Sequence, residues 1–257
     1  MNGFAMSARR YWISPDKVTE DVAIIDDSLY RHVFIVCKHL LGDKVDLLVG
    51  DGFLRHAEVI EINKKNAILS IKSKTKLPEL LRPYINLYLS MPKYTKMDFI
   101  VEKSVELGVK NILPFTSDFS FIKSVSKISS SKIKRWDAIV RSACQQSGRG
   151  QLLVVKEAKK FESVLKELGV TEGKKNIVNL FAYEGASETS FKKSLQGQLT
   201  SSTDEVNLFV GSEGGFSDEE VKAFSSLGVK PVSFGNQVLR VETACVALIS
   251  SIKYELS

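Results

Sequence analysis

The sequence predicts a small β-barrel over residues 1–76, followed by an α/β domain with a mainly parallel sheet over residues 77–257. Three observations predict it. Residues 9–72 hold five short runs rich in Val, Ile and Leu, separated by turn signals. From Tyr84 onward, strand and helix patterns alternate, as they do when helices cross over a parallel sheet. Between the two parts, Lys72–Pro83 (KSKTKLPELLRP) is charged, carries two prolines and breaks the strand pattern.

In the first part the strand candidates are RRYWI, DVAIID, KVDLLVG, FLRHAEVIEI and NAILSIK. Ser28–Leu41 reads as a helix with Leu29, Val33, Val36 and Cys37 on one side and Gly42 as its stop. Five short strands and one helix suit a small barrel. In the second part, Ile85, Leu87 and Leu89 mark a strand. Thr95-Lys96-Met97-Asp98 reads as a capping box for a helix whose stripe is Met97, Ile100, Val101 and Val105. Asn111–Phe115 is a strand stopped by Pro114. Ser131 is expected to cap a long helix with Ile133, Trp136, Val140, Ala143 and Cys144 on one side. Phe161–Leu168 is a helix stopped by Gly169, and Asn176–Tyr183 a strand.

Bulk properties exclude several classes. The chain has 257 residues, 44% of them apolar and 26% charged, which suits a water-exposed globular protein. No apolar run approaches the roughly 20 residues of a membrane helix. The start MNGFAMSARRYW has no secretory h-region, and a cytoplasmic location is expected. Cys37, Cys144 and Cys245 are scattered and read as buried reduced thiols. CxxC and HExxH are both missing, so no metal is expected. The net charge of +6 is uneven. Residues 77–150 carry 12 basic and 6 acidic side chains, whereas residues 151–257 carry 12 and 14. A polyanion such as RNA suits the middle third, and a solvated lysine face is the plain alternative.

The densest signal is Val210–Ala244. An apolar strand run (Val206, Leu208, Phe209, Val210) meets Gly211-Ser212-Glu213-Gly214-Gly215. Ser217-Asp218-Glu219-Glu220 then opens a helix with a capping box, and Gly228 ends it. A second run, Val232–Phe234, meets Gly235, and Leu239–Ala244 opens the last helix. That helix, with Ala244, Cys245, Leu248, Ile249 and Ile252, reads either as core or as part of a dimer face. In a parallel sheet both glycine turns fall at one edge, where ligands bind. Neither is GxGxxG nor GxxxxGK[ST].

GSEGGFSDEE and FGNQVLRVETA resemble the closing motifs, GPEGGF and LGxRILRTETA, of the RsmE-type 16S ribosomal RNA uridine methyltransferases, a SPOUT or trefoil-knot family. KMDFIVEKSVELGVKNILPF and KIKRWDAIVRSACQQSGRG are similar to two earlier motifs of that family, and Arg9-Arg10-Tyr11 to its opening RRF. The chain departs at Ser212 (usually proline), Gln237 and Phe119 (usually arginine), Val241 (threonine), Gln145 (glutamate) and Lys38 (arginine). The resemblance implies a PUA-like RNA-binding barrel, a knotted catalytic domain and a homodimer. It implies S-adenosylmethionine as cofactor, held largely by main chain of Ala182, Tyr183, Glu184, Gly211, Ser212, Gly214, Gly215, Phe234, Gly235, Val238, Leu239 and Arg240. The reaction implied is methylation of uracil N3 in 16S ribosomal RNA, within the small subunit.

That chemistry needs a group to take the N3 proton and cations to stabilise charge on the flanking carbonyls. Arg149 and Arg240 are candidates for the second task. Arg240 could instead pair with Glu213 or Glu242. Those two glutamates are candidates for the base, and each could instead sit at a helix N-terminus. RNA contacts are expected from Arg9, Arg10, Lys93, Lys96 and Arg149, with Lys123, Lys127, Lys132, Lys134 and Arg135 extending the basic surface. Two rivals stand beside this reading: a non-catalytic RNA-binding protein that kept the fold, and an α/β enzyme using its glycine turns for phosphate.

Overall fold

In the computed structural model, which describes residues 9–171, 176–184 and 191–255, the chain divides into two units. The first takes the residues up to Glu79 together with Arg141–Leu152; the second takes Leu80–Val140 and the residues from Leu153 onward. The start of the N-terminal segment read above, residues 1–8, lies outside the described residues.

The five strand candidates of the first unit form β1 (Arg10–Trp12), β2 (Val22–Asp26), β3 (Lys44–Leu48), β4 (Phe53–Ile62) and β5 (Asn66–Lys76). They lie in the order β1-β3-β4-β5-β2, with β1 parallel to β3 and the other pairs antiparallel. Alternation places Tyr11, Ile25, Val45, Leu47, Val59 and Leu69 in one core fed by every strand, edges included, so the sheet curls around it. Fully burying each of the larger side chains stabilises by about 1.5–3 kcal/mol. Gln145 belongs to this unit: its Oε1 accepts from the Trp12 N–H at 2.9 Å, and Arg141 lies 5.7 Å from the Trp12 ring centre.

Two expectations are corrected here. The helix expected over Ser28–Leu41 is α1 (Asp27–Tyr30) running into a π-helical turn, Arg31–Val36. The wider winding shifts the phase of the stripe, so Phe34 is buried while Val36 is exposed and Cys37 only half-buried. Lys38, at φ 57°, then ends it well before Gly42. The linker begins later than the charge pattern suggests, because β5 runs on through Lys72–Lys76.

The second unit is built on parallel strands: β6 (Tyr84–Ser90), β7 (Asn111–Thr116), β8 (Val154–Val155), β9 (Lys159–Lys160), β10 (Ile177–Ala182), β11 (Glu205–Val210) and β12 (Lys230–Val232). The order is β12-β10-β11-β6-β7-β8, with β9 also on β7. Around it lie α2 (Tyr94–Glu106), α3 (Ser130–Ser147, whose last residues belong to the first unit), α4 (Phe161–Thr171), α5 (Phe191–Gln198), α6 (Asp218–Ser226) and α7 (Val241–Glu255). None of the described helices is long and apolar enough to cross a membrane.

Register in this sheet is set by a row of asparagines. Asn111, Asn86, Asn207 and Asn179 are partners across β7, β6, β11 and β10. Their amides bond in series at 2.8, 2.9 and 2.8 Å. A slip by one residue would break the row and cost the two buried members, Asn86 and Asn207, their partners in it.

Other elements depart from their expected ends. The capping box at Thr95–Asp98 does not form: α2 starts at Tyr94, and its N-cap Lys93 has no side-chain cap bond. β7 passes through Pro114, and α4 passes through Gly169. α3 begins at Ser130, and Ile133 on it is exposed. Ser217, by contrast, makes both bonds of its capping box with Glu220. The last helix is core: α7 packs on α2, α5 and β11 and buries Cys245, Leu248, Ile249 and Ile252.

Candidate functional site

Chain order creates the site. After β11 the chain steps over β10 to reach β12, so three neighbouring parallel strands end at one edge. Their exits are Tyr183-Glu184, Gly211–Gly215 and Ser233–Arg240, and they enclose a cavity of about 420 Å³. That volume falls in the range of small-molecule sites.

The first glycine turn is folded on itself. Ser212 and Gly215 form a bridge, and the Gly215 N–H donates to the Ser212 carbonyl at 3.0 Å. A Cβ on Gly211 would stand 2.8 Å from the Gly215 carbonyl carbon, so only glycine fits there. Gly215 and Gly235 have φ of 70° and 110°, a region that favours glycine. Ser212, the departure from proline, donates its hydroxyl to the Phe119 carbonyl at 2.6 Å.

Every residue expected to hold the cofactor, from Ala182, Tyr183 and Glu184 through Gly211, Ser212, Gly214 and Gly215 to Phe234, Gly235, Val238, Leu239 and Arg240, lines this cavity. Glu213 lines it too; Glu242 does not. The lining also includes Val210, Val232, Ser233, Gln237, Val241, Ala244 and Leu248, which the motifs did not single out as ligand contacts. Val241, Ala244 and Leu248 follow the i, i+3, i+7 spacing of one helix face, the signal that could have found them.

Lys96 also lines the cavity and ties the two candidate bases together. Its ammonium lies 3.1 Å from Glu242 and 3.5 Å from Glu213. Glu213 also accepts the backbone N–H of Lys93 at 3.3 Å, so it meets the N-terminus of α2 in place of the absent capping box. Glu242 sits in the first turn of α7. Burial pushes its carboxyl up, but its own backbone N–H, Lys96 and Arg240 outweigh that and hold it below the ordinary carboxylate range. Both glutamates therefore occupy helix N-termini, and the ion-pair partner they share is Lys96. Arg240 stands exposed at the cavity.

Of the remaining expected RNA contacts, Lys93 holds its ammonium 5.3 Å from the Phe121 ring centre. Arg9, Arg10 and Arg149 belong to the first unit, where Arg9 is exposed and Arg10 half-buried beside Gly148. Burial pushes the Arg149 guanidinium below its ordinary value. Of the further basic residues, Lys132 lies over the Tyr94 ring, and Arg135 pairs with Asp98 at 2.7 Å. Among the described residues no His, Cys, Asp and Glu group could hold a metal ion.

Comparison with known proteins divides the chain near residue 80 and keeps Arg141–Leu152 with the second part. A family model described as RNA methyltransferase domain matches residues 80–253, and one described as RNA methyltransferase PUA domain matches residues 25–72. The chain is 30% identical over 236 residues to the ribosomal RNA small subunit methyltransferase E of Buchnera aphidicola subsp. Schizaphis graminum, covering 90% of each chain. It is 26% identical over 246 residues to the same enzyme of Buchnera aphidicola subsp. Acyrthosiphon pisum, covering 95% of this chain and 92% of that one. Among solved structures it is similar to a candidate methyltransferase of Legionella pneumophila in complex with the bound cofactor SAM. There the TM-score is 0.85 and the identity 25%, over 97% of this chain and 98% of that one.

Proposed function

This chain belongs to the ribosomal RNA small subunit methyltransferase E family, and from that premise we infer that it has the SPOUT trefoil-knot fold and transfers a methyl group from S-adenosylmethionine to 16S ribosomal RNA. The observation that carries the reading is the cavity at the ends of β10, β11 and β12, where main chain can approach a ligand closely because Gly211 has no Cβ. The lining fits the cofactor: polar main chain from the three turns, with Val210, Leu239, Ala244 and Leu248 as an apolar wall. When bound, S-adenosylmethionine supplies an electrophilic methyl on a sulfonium, so no metal is needed to activate the donor.

The acceptor is uracil N3, which keeps its proton at neutral pH. Glu213 is the better placed of the two carboxylates to accept that proton, since it lines the cavity and Glu242 does not. A carboxylate held low, as Glu242 is, makes a weak base and a good anchor for Lys96. Arg240 and Lys96 stabilise charge growing on the flanking carbonyl oxygens. Arg149, Arg9, Arg10 and Lys93 hold phosphates. The first domain, residues 1–76, binds RNA as a PUA-like module. Residues 77–257 bind cofactor, catalyse and form a homodimer, in the cytoplasm where small subunits assemble.

Mass spectrometry of ribosomal RNA from cells with and without the protein tests the assignment. N3-methyluridine in 16S RNA should disappear when the protein is removed; an unchanged signal rejects the target. Arg240→Ala should lower kcat by tenfold or more while leaving RNA binding within a few-fold, whereas Arg149→Ala, which removes a phosphate contact, should raise KM.

A further inference from the structure

The loop after β7 holds two large aromatic side chains in water: Phe119 is 48% exposed and Phe121 58%. The loop beneath them is firmly tied. The Ser90 hydroxyl bonds those of Ser117 and Ser120 at 2.6 and 2.9 Å, all three being buried. The Ser117 N–H donates to Ser120 Oγ at 2.7 Å, and the Asp118 N–H to Glu220 Oε1 at 2.9 Å. The Phe119 carbonyl accepts from Ser212, and the Phe121 N–H donates to the Met91 carbonyl at 2.9 Å. A loop bonded this closely holds the roots of both rings in place, so little backbone order is left to be lost when something lands on them.

Where they are presented is specific. A Cβ on Gly214 would stand 2.8 Å from Phe119 Cβ, so the root of this side chain abuts the glycine turn that lines the cavity. Lys93, whose ammonium lies over the Phe121 ring, is also the residue whose N–H meets Glu213. Lys123 donates to the Asp118 carbonyl in the same loop. Exposed aromatic faces interleaved with cations are the surface that unpaired RNA uses, bases on rings and phosphates on ammonium groups.

We propose that Phe119 and Phe121 form a stacking platform for the unpaired bases flanking the nucleotide presented to the cavity, with Lys93 on the adjoining phosphate. The proposal rests on the RNA-methyltransferase reading above and adds the pair that positions its substrate. The positive charge of residues 77–150 favours RNA over an apolar protein surface as the occupant.

The test uses the full chain with Phe119→Leu and Phe121→Leu, singly and together, and the Tyr variants as conservative controls. Leucine keeps apolar bulk and removes the π-face. Calorimetry with S-adenosylmethionine should give affinities within twofold of the parent for all of them, which also reports folding. Affinity for a uridine dodecamer, read by fluorescence anisotropy, should fall about fivefold or more for each leucine. KM for small ribosomal subunits from cells lacking the protein should rise likewise, with kcat nearly kept, and tyrosine should restore both. Leucine variants with parental dodecamer affinity and KM overturn the platform. So do variants that lose activity on subunits but keep the dodecamer, which marks a protein-docking surface, and variants whose oligomeric state changes, which marks a contact with a second copy. A parent protein that binds S-adenosylmethionine yet methylates no RNA rejects the functional reading itself, and the platform with it.

Discussion

Gly211 is the position where a single methyl group decides the site. Its Cβ would meet the Gly215 backbone at 2.8–2.9 Å, and backbone cannot swing aside as a side chain can. Gly211→Ala should weaken S-adenosylmethionine binding by about tenfold or more in calorimetry and destabilise the fold by about 1–3 kcal/mol. Gly197 in α5 has open space around its Cβ, and the same change there should stabilise by about 0.5–1 kcal/mol. Glu242 makes a second test. Its folded carboxyl lies below the ordinary 4.5, so it stabilises the fold above that pH and the contribution is lost as pH falls through the lower folded value. Glu242→Gln should therefore lower Tm at pH 7, by an amount that shrinks as the pH is lowered. The glycines and Glu213 were legible in sequence because each follows directly from a strand end. The Lys96 clamp was not, since it joins residues more than a hundred positions apart through the packing of α2 on α7.

The helix α6 carries a cap that reaches beyond itself. Ser217 caps α6 and also donates to Asp118 Oδ2 at 2.6 Å, while Glu220 receives the Asp118 N–H. Ser217→Ala should cost about 1–2 kcal/mol, seen as a Tm lower by about 2–8 °C. On the sheet, Asn207 both donates to the half-buried Asn179 and accepts from the buried Asn86, which keeps a second acceptor in Glu205 at 3.1 Å, so Asn207→Leu should cost about 1–2 kcal/mol by denaturant titration. The capping box of α6 was readable from four adjacent residues. The asparagine row was not, because each member looks like an isolated polar residue until strand register aligns them. The π-helical turn at Arg31–Val36 escaped for a related reason: an apolar stripe read at 3.6 residues per turn assumes the winding it is meant to reveal.

The two units and the uneven charge set how the protein meets a polyanion. RNA affinity should fall linearly in log Kd against log salt, and Lys93→Ala should reduce that slope by about 0.7. The alternation of strands and helices made both halves of the fold legible. Their true division was not, because Arg141–Leu152 is continuous in sequence with the second unit and belongs to the first. Gln145 supplies the acceptor for Trp12, and Leu77 fills the space beside Gly150, where a Cβ would lie only 2.9 Å from it. A nascent chain released to residue 79 consequently still lacks a piece of its own first unit. At roughly 5–20 residues per second, synthesis of the seventy-odd residues up to Leu152 takes about 4–15 s. For that interval the Trp12 N–H lacks the Gln145 acceptor it has in the folded chain, so the first unit is completed only after part of the second has been made.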